Sequence, residues 1–503
     1  MSNPLYDTLL GHQTANSSVF LHLPDGTRIS YAGFTARVAQ FAGALRELGL
    51  EPGDRLALQV EKCADALALV FGCIQAGVVF LPLNTGYTGD EVAYFVENSG
   101  ARVLVCDPAN ARILGEVAAR CGAHCETLGP DGAGTLAERA DAAPQEAPVE
   151  PRAGDDIAAF LYTSGTTGRS KGAMLSQDNL LSNALTLVDL WRFSKDDVLL
   201  HALPIFHTHG LFVATNVMLA AGGAMVFFPK FDADALIDWM PKATSLMGVP
   251  TFYTRLLDNP RFGVDVAGDM RLFISGSAPL LAETHRQFEA RTGHRILERY
   301  GMTETNMSTS NPYDGDRRAG TVGLPLPDVE AKVCDEGGTE LPRGEIGMLE
   351  VRGPNVFQGY WQMPDKTAAE LRDNGFFITG DLAQMSEDGY VTIVGRGKDL
   401  IISGGFNIYP KEIEELLDDQ PGVLESAVVG VPHPDFGETP VAVIVPEAGA
   451  APDLDAIGTE VTAKLARFKH PRHIELIDAL PRNTMGKVQK AALRERFAGI
   501  FSG

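Results

Sequence analysis

The stretch TSGTTGRSKG, residues Thr163 to Gly172, directly follows the apolar run Ile157 to Tyr162. An apolar run of this length is typical of a buried strand. Glycines allow the chain after the strand to bring backbone N–H groups close to an anion. The Ser and Thr hydroxyls add neutral donors, and Lys171 adds a mobile positive charge suited to phosphate oxygens. The stretch, called the phosphate loop below, therefore predicts a binding site for the phosphates of a nucleotide.

The phosphate loop differs from the Walker A motif. That motif requires Gly-Lys followed by Ser or Thr, whereas here Ser170 precedes Lys171 and Gly172 follows it. A flexible linker is the alternative interpretation, but apolar residues at helical spacing beyond the loop predict a packed helix. These residues are Leu180, Ala184, Leu187, Val188 and Trp191. We therefore expect the loop to join a buried strand to a helix.

Composition indicates a globular protein with several domains. The 503 residues correspond to about three to four domain-sized units. Hydrophobic residues make up 45% and charged residues 21%, an ordinary balance for soluble proteins. The first residues lack the positive start and apolar core of a secretory signal, and no apolar run reaches membrane-spanning length. We therefore expect a cytoplasmic protein that does not bind a membrane.

The charge balance excludes other partners. Lys and Arg number 42 against 65 Asp and Glu, which gives a formal net charge of -23. Such a charge opposes general binding to nucleic acid, so no nucleic-acid partner is expected. An anionic ligand must then be met by local cations. One candidate is Lys487 in the late loop PRNTMGKVQK, residues 481–490, where the preceding glycine lets the lysine swing out.

The order of patterns predicts an α/β fold. Strand-like segments such as Arg55 to Val60 and Val103 to Cys106 alternate with helical patterns such as Ala36 to Leu48 and Ala64 to Ala76. Alternation of this kind favours layered, mostly parallel sheets with helices between them. Residues 129–154, rich in Ala, Pro, Gly and acids, are interpreted as a surface connection.

The pattern of predicted secondary structure changes around Gly395 to Asp399, which predicts a domain boundary. Turn-rich β-like pieces precede this segment, and a helical pattern followed by a strand-like run comes after it. We expect a large N-terminal domain of residues 1–396 and a small α+β domain of residues 397–503, a size suited to independent folding.

Further clusters match the chemistry of a nucleotide. Ser275 to Pro279 is a small-residue turn that a flat ring can approach closely. Tyr300 to Glu304 puts an aromatic ring, a hydroxyl and a carboxylate within one turn, and Glu304 is a candidate ligand for Mg2+. Thr379 to Asp381 offers a carboxylate for ribose hydroxyls, and Arg396 lies in the next β-like segment. Each cluster alone is common, so their joint occurrence carries the prediction.

Taken together, these motifs resemble those of the adenylate-forming superfamily of acyl-CoA synthetases, peptide-synthetase adenylation domains and luciferases. The matching stretches are TSGTTGRSKG, YGMTE, TGD, GRGKDLIISGGFNIYPKEIE and PRNTMGK. The resemblance spans nearly the whole chain. It implies a large N-terminal domain, a hinge and a small C-terminal lid that rotates between two half-reactions. It also implies ATP, Mg2+ and coenzyme A as cofactor and co-substrates.

The resemblance also implies roles for individual residues. The implied nucleotide-binding residues are Thr163, Ser164, Gly165, Thr166, Thr167, Gly168, Lys171, Gly276, Ser277, Ala278, Glu298, Arg299, Tyr300, Gly301, Met302, Thr303, Asp381 and Arg396. The implied catalytic residues are Lys487, His207, Glu304 and Thr303, with Glu304 also the metal ligand. Ser403, Gly404, Gly405 and Phe406 would face coenzyme A in the second step. Lys398 stands at the hinge position, where many relatives carry Asp.

The segments expected to line the acid pocket favour a small polar acid. A fatty-acid tunnel would be mainly apolar, whereas His207, Thr208 and His209 of the segment IFHTHGL, residues 205–211, together with Ser277 make this one polar. The local sequence is similar to that of malonyl-CoA synthetases, which implies ligation of malonate to coenzyme A through a malonyl-adenylate. The alternative is another small carboxylic or dicarboxylic acid such as methylmalonate. The substrate-binding residues expected are His207, Thr208, Ser277, Arg286, Met307 and Arg169.

Arg286 is the residue expected to hold the distal carboxylate. It lies on a helical stripe between Ala282 and Ala290, so a guanidinium flanked by small side chains could pair with a carboxylate through two hydrogen bonds. The alternative is an exposed helix arginine. His207 is placed near the reacting acyl group, and the alternative for it is a structural histidine.

Two other classes of function compete with this interpretation. A peptide-synthetase adenylation domain would need an Asp in the acid pocket to hold an ammonium group, and IFHTHGL contains none. A regulatory nucleotide-binding protein would not need the lid lysine, Lys487. The joint presence of Glu304, Asp381, Arg396 and Lys487 therefore favours an enzyme.

Overall fold

Two mostly parallel β-sheets form the framework of the N-terminal part of the chain. The computed structural model describes residues 3–163, 170–403, 406–483 and 486–501. The strands of sheet A lie in the order His124–Thr127, Val103–Cys106, Arg55–Gln59, Val79–Pro82, Ile157–Thr163 and Lys171–Ser176. Those of sheet B lie in the order Leu324–Pro325, Asn306–Ser310, Leu297–Met302, Leu272–Ser275, Ser245–Gly248, Val198–His201, Ala224–Phe227, Val19–His22 and Arg28–Ser30. Parallel pairs fill the middle of both sheets and antiparallel pairs lie at their edges, which confirms the predicted α/β class.

The phosphate loop joins two antiparallel strands. Ile157–Thr163 pairs with Lys171–Ser176, with Thr163 opposite Lys171. Helix Gln177–Leu190 begins only after the second strand, so the expectation that the loop leads directly into a helix was wrong. Ala173 and Leu175 are both fully buried, and pairing with Ile157–Thr163 makes this segment an edge strand of sheet A before the helix starts. Residues 164–169 of the loop lie outside the described residues.

Antiparallel sheets complete the architecture. Sheet C has the order Glu330–Cys334, Ile346–Arg352, Phe377–Met385 and Val391–Arg396. Sheet D has the order Phe406–Ile408, Ile401–Ser403, Gly437–Pro446 and Val423–His433, and His473–Leu476 pairs in parallel with Gly437–Pro446. Sheet C ends at Arg396 and sheet D begins at Ile401. The residues after Arg396 are called the lid below, and those before it the body.

Helices cover the sheets. The α-helices are Pro4–Tyr6, Tyr31–Glu47, Ala64–Ala76, Gly89–Ser99, Ala111–Arg120, Thr135–Ala142, Gln177–Leu190, Asn216–Ala221, Ala233–Trp239, Pro250–Asp258, Val264–Ala267, Ala282–Thr292, Pro364–Glu370, Pro410–Asp418, Leu454–Lys464 and Lys490–Phe497. Asp7–Gly11 and His209–Thr215 are π-helical turns, and Pro108–Asn110, Met240–Lys242, Gly397–Asp399 and Arg467–Lys469 are 3-10 turns. The predicted helices 36–48 and 64–76 thus correspond to Tyr31–Glu47 and Ala64–Ala76.

One continuous hydrophobic core joins sheets A and B. It includes Leu56 from sheet A, Leu199 from sheet B, and Phe41 and Phe71 from two helices. The helices approach closely because Gly72 has no side chain, and a β-carbon there would lie 2.8 Å from the Phe41 β-carbon. Close packing of this kind gives the body a rigid base for the loops at the sheet edges.

The lid has its own core on both faces of sheet D. Ile413 and Leu417 of helix Pro410–Asp418 are buried on one face. Leu493 and Phe497 of helix Lys490–Phe497 are buried on the other. A unit with its own core can move relative to the body without exposing that core.

One sequence-based interpretation needs correction in the fold. Residues 129–154 are not simply a surface connection, because Thr135–Ala142 is a helix whose Leu136 and Ala140 are fully buried. The run is short and rich in alanine, which hid its helical spacing. Within the described part of the chain, none of the helices has both the length and the apolar character needed to cross a membrane.

Candidate active site

A cavity of about 350 Å³ brings together most of the predicted site residues that the structure describes. Thr163 and Lys171 flank the phosphate loop at one end, and residues 207–209 with Ser277 lie at the other. The phosphate loop follows strand Ile157–Thr163 of sheet A, and the segments of residues 207–209 and Ser277 follow strands of sheet B, and ligands of α/β proteins usually bind beyond the carboxyl ends of strands. The remaining lining residues are Arg299, Gly301, Met302, Thr303, Glu304, Met307, Met348, Tyr360, Glu370, Phe377, Ile378, Thr379, Gly380, Arg396, Gly397, Lys398 and Lys487.

Lys171 is held over the phosphate end by a carboxylate and an aromatic ring. Its Nζ lies 3.2 Å from Glu370 Oε2 and 4.1 Å from the centroid of the Tyr360 ring. Glu370 also pairs with Lys366 at 2.6 Å, and Lys366 lies outside the cavity lining. These contacts keep the ammonium group of Lys171 inside the cavity, where phosphate oxygens could replace Glu370 as its partner.

The carboxylates beside Lys171 fit a hard cation. The Tyr360 hydroxyl lies 3.0 Å from Glu304 Oε1 and 2.7 Å from Glu370 Oε2. A hydroxyl carries one proton and can donate to only one of them at a time. Glu304 is only 4% exposed, and its other side-chain hydrogen bond comes from Thr163 Oγ1 at 3.3 Å. Oxygen ligands of this kind suit Mg2+, so the residues present fit the predicted metal.

Tyr300, Asp381 and Arg396 form a second polar cluster at the border between body and lid. The Tyr300 hydroxyl donates to Asp381 Oδ2 at 2.5 Å, and Arg396 Nε lies 2.8 Å from Asp381 Oδ1. Burial raises the pKa of Asp381, while Arg396 acts in the opposite direction. Asp381 is 3% exposed and lies beside the cavity rather than in its lining.

Several buried polar groups at the opposite end of the cavity have no hydrogen-bond partner among the described residues. Among the described residues, Arg299 Nε, Arg299 Nη2, Thr208 Oγ1 and His209 Nε2 are buried and have no hydrogen-bond partner. Burial lowers the pKa of the Arg299 guanidinium. Unpaired buried donors are costly, so these groups are suited to a bound anion. We call Arg299, Thr208 and His209 the anion receptor.

Ser277 fixes the orientation of His209. Its Oγ lies 3.2 Å from His209 Nδ1, and in the tautomer that accepts this hydroxyl proton, Nε2 carries the ring proton and is free to donate. Ser277 has φ 71°, a left-handed conformation that costs energy in a residue other than glycine. Burial lowers the pKa of His209 well below its usual value, and Arg299 acts in the same direction, so the ring is neutral.

His207 and Lys487 both line the cavity, and each has a lowered pKa. His209 N donates to His207 Nδ1 at 3.4 Å. Burial lowers the pKa of His207 to about 3, with further contributions from Lys487 and Arg299, so its imidazole is neutral. The pKa of Lys487 is also lowered, first by loss of hydration and then by Arg396. The cavity nevertheless leaves Lys487 accessible to solvent, so a ligand can reach it.

The loop that carries Lys487 packs against the body. Asn483 Oδ1 accepts a hydrogen bond from Lys487 N at 3.0 Å, and Gly486 has φ 74°. A β-carbon on Gly486 would lie 3.8 Å from Thr251 Oγ1 of helix Pro250–Asp258. The sharp turn at Gly486 therefore brings the lysine from the lid into the body's cavity.

Arg286, which the sequence analysis assigned to a distal carboxylate, does not line the cavity. Its side chain is 57% exposed and pairs with Glu283 at 2.9 Å and with Asp419 of the lid at 3.5 Å. The helix Ala282–Thr292 turns its other face, with His285 and Phe288, into the core. The small neighbours of Arg286 thus line a solvent-facing stripe, and the buried cation of the pocket is Arg299.

Other predicted residues take varied positions. Glu298 is buried behind the cavity, 3.7 Å from His285, and does not line the cavity. Gly276 packs against Arg299, and Lys398 lines the cavity near the hinge. Ser403 is buried, whereas Phe406 is exposed and stacks on Phe468 with ring centroids 4.6 Å apart. Gly404, Gly405 and residues 164–169, which include Arg169, lie outside the described residues.

Sequence reasoning missed Tyr360 and Glu370 altogether, and it did not assign His209 a role. Tyr360 and Glu370 lie more than fifty residues after Glu304 in the chain and meet it only through the fold. The single local signal was the polar group His207, Thr208 and His209, which lies between apolar residues in IFHTHGL.

Comparison with known proteins decides the family. A family model for AMP-binding enzymes matches residues 11–361, and a model for the AMP-binding enzyme C-terminal domain matches residues 412–487. The chain belongs to the AMP-binding enzymes. A feruloyl-CoA synthase from Amycolatopsis is 36% identical over 480 residues, 94% of each chain. The malonate–CoA ligase of Arabidopsis thaliana is 34% identical over 88% of this chain and 78% of its own length.

Among solved structures, MatB from Rhodopseudomonas palustris is similar over the full length. Its ATP-bound crystal structure is 57% identical, covers 100% of both chains and superposes with a TM-score of 0.98. The apo structure of the same protein, also covering 100% of both chains, gives a TM-score of 0.87. Since the identity is 57% in both comparisons, the difference reflects the arrangement of the chain. This AMP-binding enzyme therefore has the arrangement seen in MatB with ATP bound.

Proposed function

We propose that this AMP-binding enzyme ligates malonate to coenzyme A in two steps. In the first step malonate and ATP give malonyl-adenylate and pyrophosphate. In the second step the thiol of coenzyme A attacks the adenylate, which gives malonyl-CoA, AMP and a proton. The observation that carries the choice of acid is the anion receptor, whose donors lie at the end of the cavity away from the phosphate loop.

A dicarboxylate satisfies this receptor better than a monocarboxylate. If one carboxylate of malonate lies between His207 and Lys487, the second can accept hydrogen bonds from Arg299 and its neighbours. A bidentate arginine–carboxylate pair is both strong and directional. A fatty acid would instead leave the buried guanidinium without a partner, at a cost of about 1 to 3 kcal/mol or more. The resemblance of the local sequence to malonyl-CoA synthetases and the Arabidopsis relative support the same choice.

The first step needs stabilisation of negative charge. A carboxylate oxygen of malonate attacks the α-phosphorus of ATP, the bond to the β-phosphate oxygen breaks, and pyrophosphate leaves with the bonding electrons. We assign Lys487 to the developing charge on the α-phosphate and Lys171 to the leaving pyrophosphate. Preorganised donors of this kind are worth about 3 to 4 kcal/mol each in a site that excludes water.

Mg2+ would be held by Glu304, beside Glu370 and the Tyr360 hydroxyl. When bound, it would neutralise phosphate charge as a Lewis acid. The Tyr360 hydroxyl keeps the two carboxylates oriented. We assign Thr303 and residues 163–168 of the phosphate loop to phosphate oxygens, and Asp381 with Arg396 to the ribose hydroxyls. Gly276, Ala278 and Tyr300 are assigned to adenine.

The second step requires a different lid position. Lys487 occupies the cavity in the present arrangement, so a thiol cannot reach the acyl carbonyl from the same side. We propose that the lid, residues 397–503, rotates about Lys398 and brings the segment Ser403–Phe406 to the pantetheine arm. A rotating unit lets one site serve two reactions in succession.

Methylmalonate is the alternative substrate. We place the C2 carbon of the acid near Thr208 and Met307, which both line the cavity. The size of these two side chains would then decide whether a methyl branch fits. Arg169, as an additional cation for a doubly charged acid, stays a prediction.

A panel of acids tests the proposal. Pyrophosphate release is measured with malonate, methylmalonate, succinate, acetate and octanoate, each with and without coenzyme A, and ATP alone serves as the blank. The expected result is the highest kcat/KM with malonate and formation of malonyl-CoA by mass. A preference for octanoate or acetate would overturn the assignment of the anion receptor to a second carboxylate.

A further inference from the structure

Lys62 is buried beneath the acid end of the cavity without lining it. The residue is 8% exposed and lies just before helix Ala64–Ala76. Its Nζ lies 2.8 Å from His201 Nδ1 and 2.8 Å from His201 O. The ring of Phe227 lies 4.2 Å away, a distance that allows a cation–π contact. The long side chain thus reaches from sheet A to the end of a strand in sheet B.

His201 passes this contact on to the loop of the acid pocket. The ring is fully buried, and its Nε2 lies 2.8 Å from Gly210 O. Because the Lys62 amine donates to Nδ1, the ring proton is on Nε2, which can donate to the Gly210 carbonyl. Thr215 Oγ1 donates to the same carbonyl at 2.9 Å. The carbonyl of Gly210 is therefore fixed by two donors.

Gly210 closes the loop that presents the polar side chains. A β-carbon on Gly210 would lie 2.1 Å from Pro204 O, so the loop returns on itself at this point. Leu211 N donates to His207 O at 3.0 Å, and His209–Thr215 is a π-helical turn. Such turns are found frequently at functional sites. His207, Thr208 and His209 lie within this closed loop and point into the cavity.

We propose that Lys62 is a positioning residue for the acid pocket, acting through His201 and the Gly210 carbonyl on the loop that carries His207, Thr208 and His209. The inference rests on the proposed function, since it takes that loop as the acid site. Lys62 touches no ligand in this scheme. Its effect is to hold the anion receptor in place, so it should govern binding of the acid more than binding of ATP.

Lys62→Met tests the proposal because it keeps the apolar stem and removes the amine. We expect the KM for malonate to rise about tenfold, which corresponds to about 1.4 kcal/mol. The KM for ATP should stay within about twofold, because the phosphate end has separate contacts. A loss of folded protein alone would lower kcat for every substrate and leave the ratio of the two KM values unchanged.

Two further variants complete the test of Lys62. Lys332→Met removes a partly buried lysine that also lies over a ring, 4.2 Å from Phe376, in sheet C outside the cavity lining, and should leave the KM ratio unchanged. Thr215→Val removes the second donor to Gly210 and should shift the ratio in the same direction, so it decides the matter if Lys62→Met does not fold. The role of Lys62 would be overturned if the KM values for malonate and ATP changed equally. It would also be overturned if the KM for malonate were unchanged both in Thr215→Val and in a folded Lys62→Met.

The wild-type enzyme separates this inference from the proposed function. If the wild type turns over a small acid other than malonate, the proposed substrate is wrong, and the KM ratio is then measured with that acid. If the wild type uses malonate but the ratio does not move in the variants, the proposed function stands and the positioning role fails.

Discussion

Gly276 lies directly against the guanidinium of Arg299. A β-carbon at Gly276 would be 2.4 Å from Arg299 Cζ, closer than any side chain can approach. The glycine therefore leaves the space in which Arg299 lies flat behind the Ser277 turn. This relationship joins the turn expected at adenine to the arginine that we propose for the second carboxylate of the acid.

Replacement of Arg299 should abolish the preference for malonate. In Arg299→Gln we expect kcat/KM for malonate to fall about 10- to 100-fold, since a charged hydrogen-bond partner is worth about 1.5 to 3 kcal/mol. Activity with acetate should fall much less, because acetate has no second carboxylate. The measurement is pyrophosphate release with both acids.

Arg286→Gln is the matched control for this prediction. Arg286 is exposed and pairs only with surface carboxylates among the described residues, so its loss should leave kcat/KM for malonate and for acetate unchanged. Equal losses of malonate and acetate activity in Arg299→Gln would mean that Arg299 supports the site as a whole and does not bind the distal carboxylate.

Lys171 should govern ATP binding. In Lys171→Met we expect the KM for ATP to rise about 10- to 100-fold from the loss of a charged contact with phosphate. Lys366→Met is the control, since Lys366 pairs with the same Glu370 but lies outside the cavity lining. If Lys366→Met raised the ATP KM as strongly, the effect would come from Glu370 and not from contact of Lys171 with phosphate.

The adenylation rate should depend on the charge of Lys487. Loss of hydration and the nearby Arg396 lower its pKa, so the ammonium form disappears at a lower pH than for an ordinary lysine. The rate of pyrophosphate release should therefore fall as pH rises through this lowered pKa. Lys487→Ala should lose about 100- to 1,000-fold in that rate, the usual effect of removing one preorganised donor.

Lys487→Arg checks the origin of the pH dependence. An arginine keeps its charge across this pH range, so the residual activity of the variant should lack the fall at high pH. A wild-type profile that fell at high pH and an identical fall in Lys487→Arg would assign the titration to another group.

Buried neutral histidines should make the fold sensitive to acid. Burial lowers the pKa of His207 to about 3, compared with about 6.5 in the unfolded chain. Between these values the unfolded state binds more protons, so stability rises with pH and is lost as pH falls below about 6.5. His207→Asn should reduce the pH slope of the apparent Tm between pH 5 and 6.5, by an amount equivalent to nearly one proton. An unchanged slope would mean that His207 is protonated in the folded protein.

Local patterns were enough to predict several parts of the site. Lys171 and Thr163 followed from the phosphate loop and its preceding strand, because the chemistry of phosphate binding is contained in one short segment. His207 and Thr208 were implied by the resemblance to acyl-CoA synthetases, which points to the segment IFHTHGL. Both predictions place their residues in the cavity lining. The α/β class followed from the alternation of strand and helix patterns in the same way.

Other parts depended on contacts between distant segments. The helical spacing around Arg286 was correct, but spacing alone does not tell which stripe of a helix faces the core. Tyr360 and Glu370 reach Glu304 only because sheet C and its neighbouring helix pack against the edge of sheet B. Lys62 likewise meets His201 across two sheets.

The sequence by itself determined the α/β class and the residue types of the phosphate loop and of the segment IFHTHGL, since these follow from local residue patterns. Only the tertiary structure decided which arginine is buried in the cavity. Burial of a cation depends on which segments pack around it, and for Arg299 those segments are the Ser277 turn, the loop of His207 to His209, and helix Pro250–Asp258, whose Tyr253 acts to raise the pKa of Arg299.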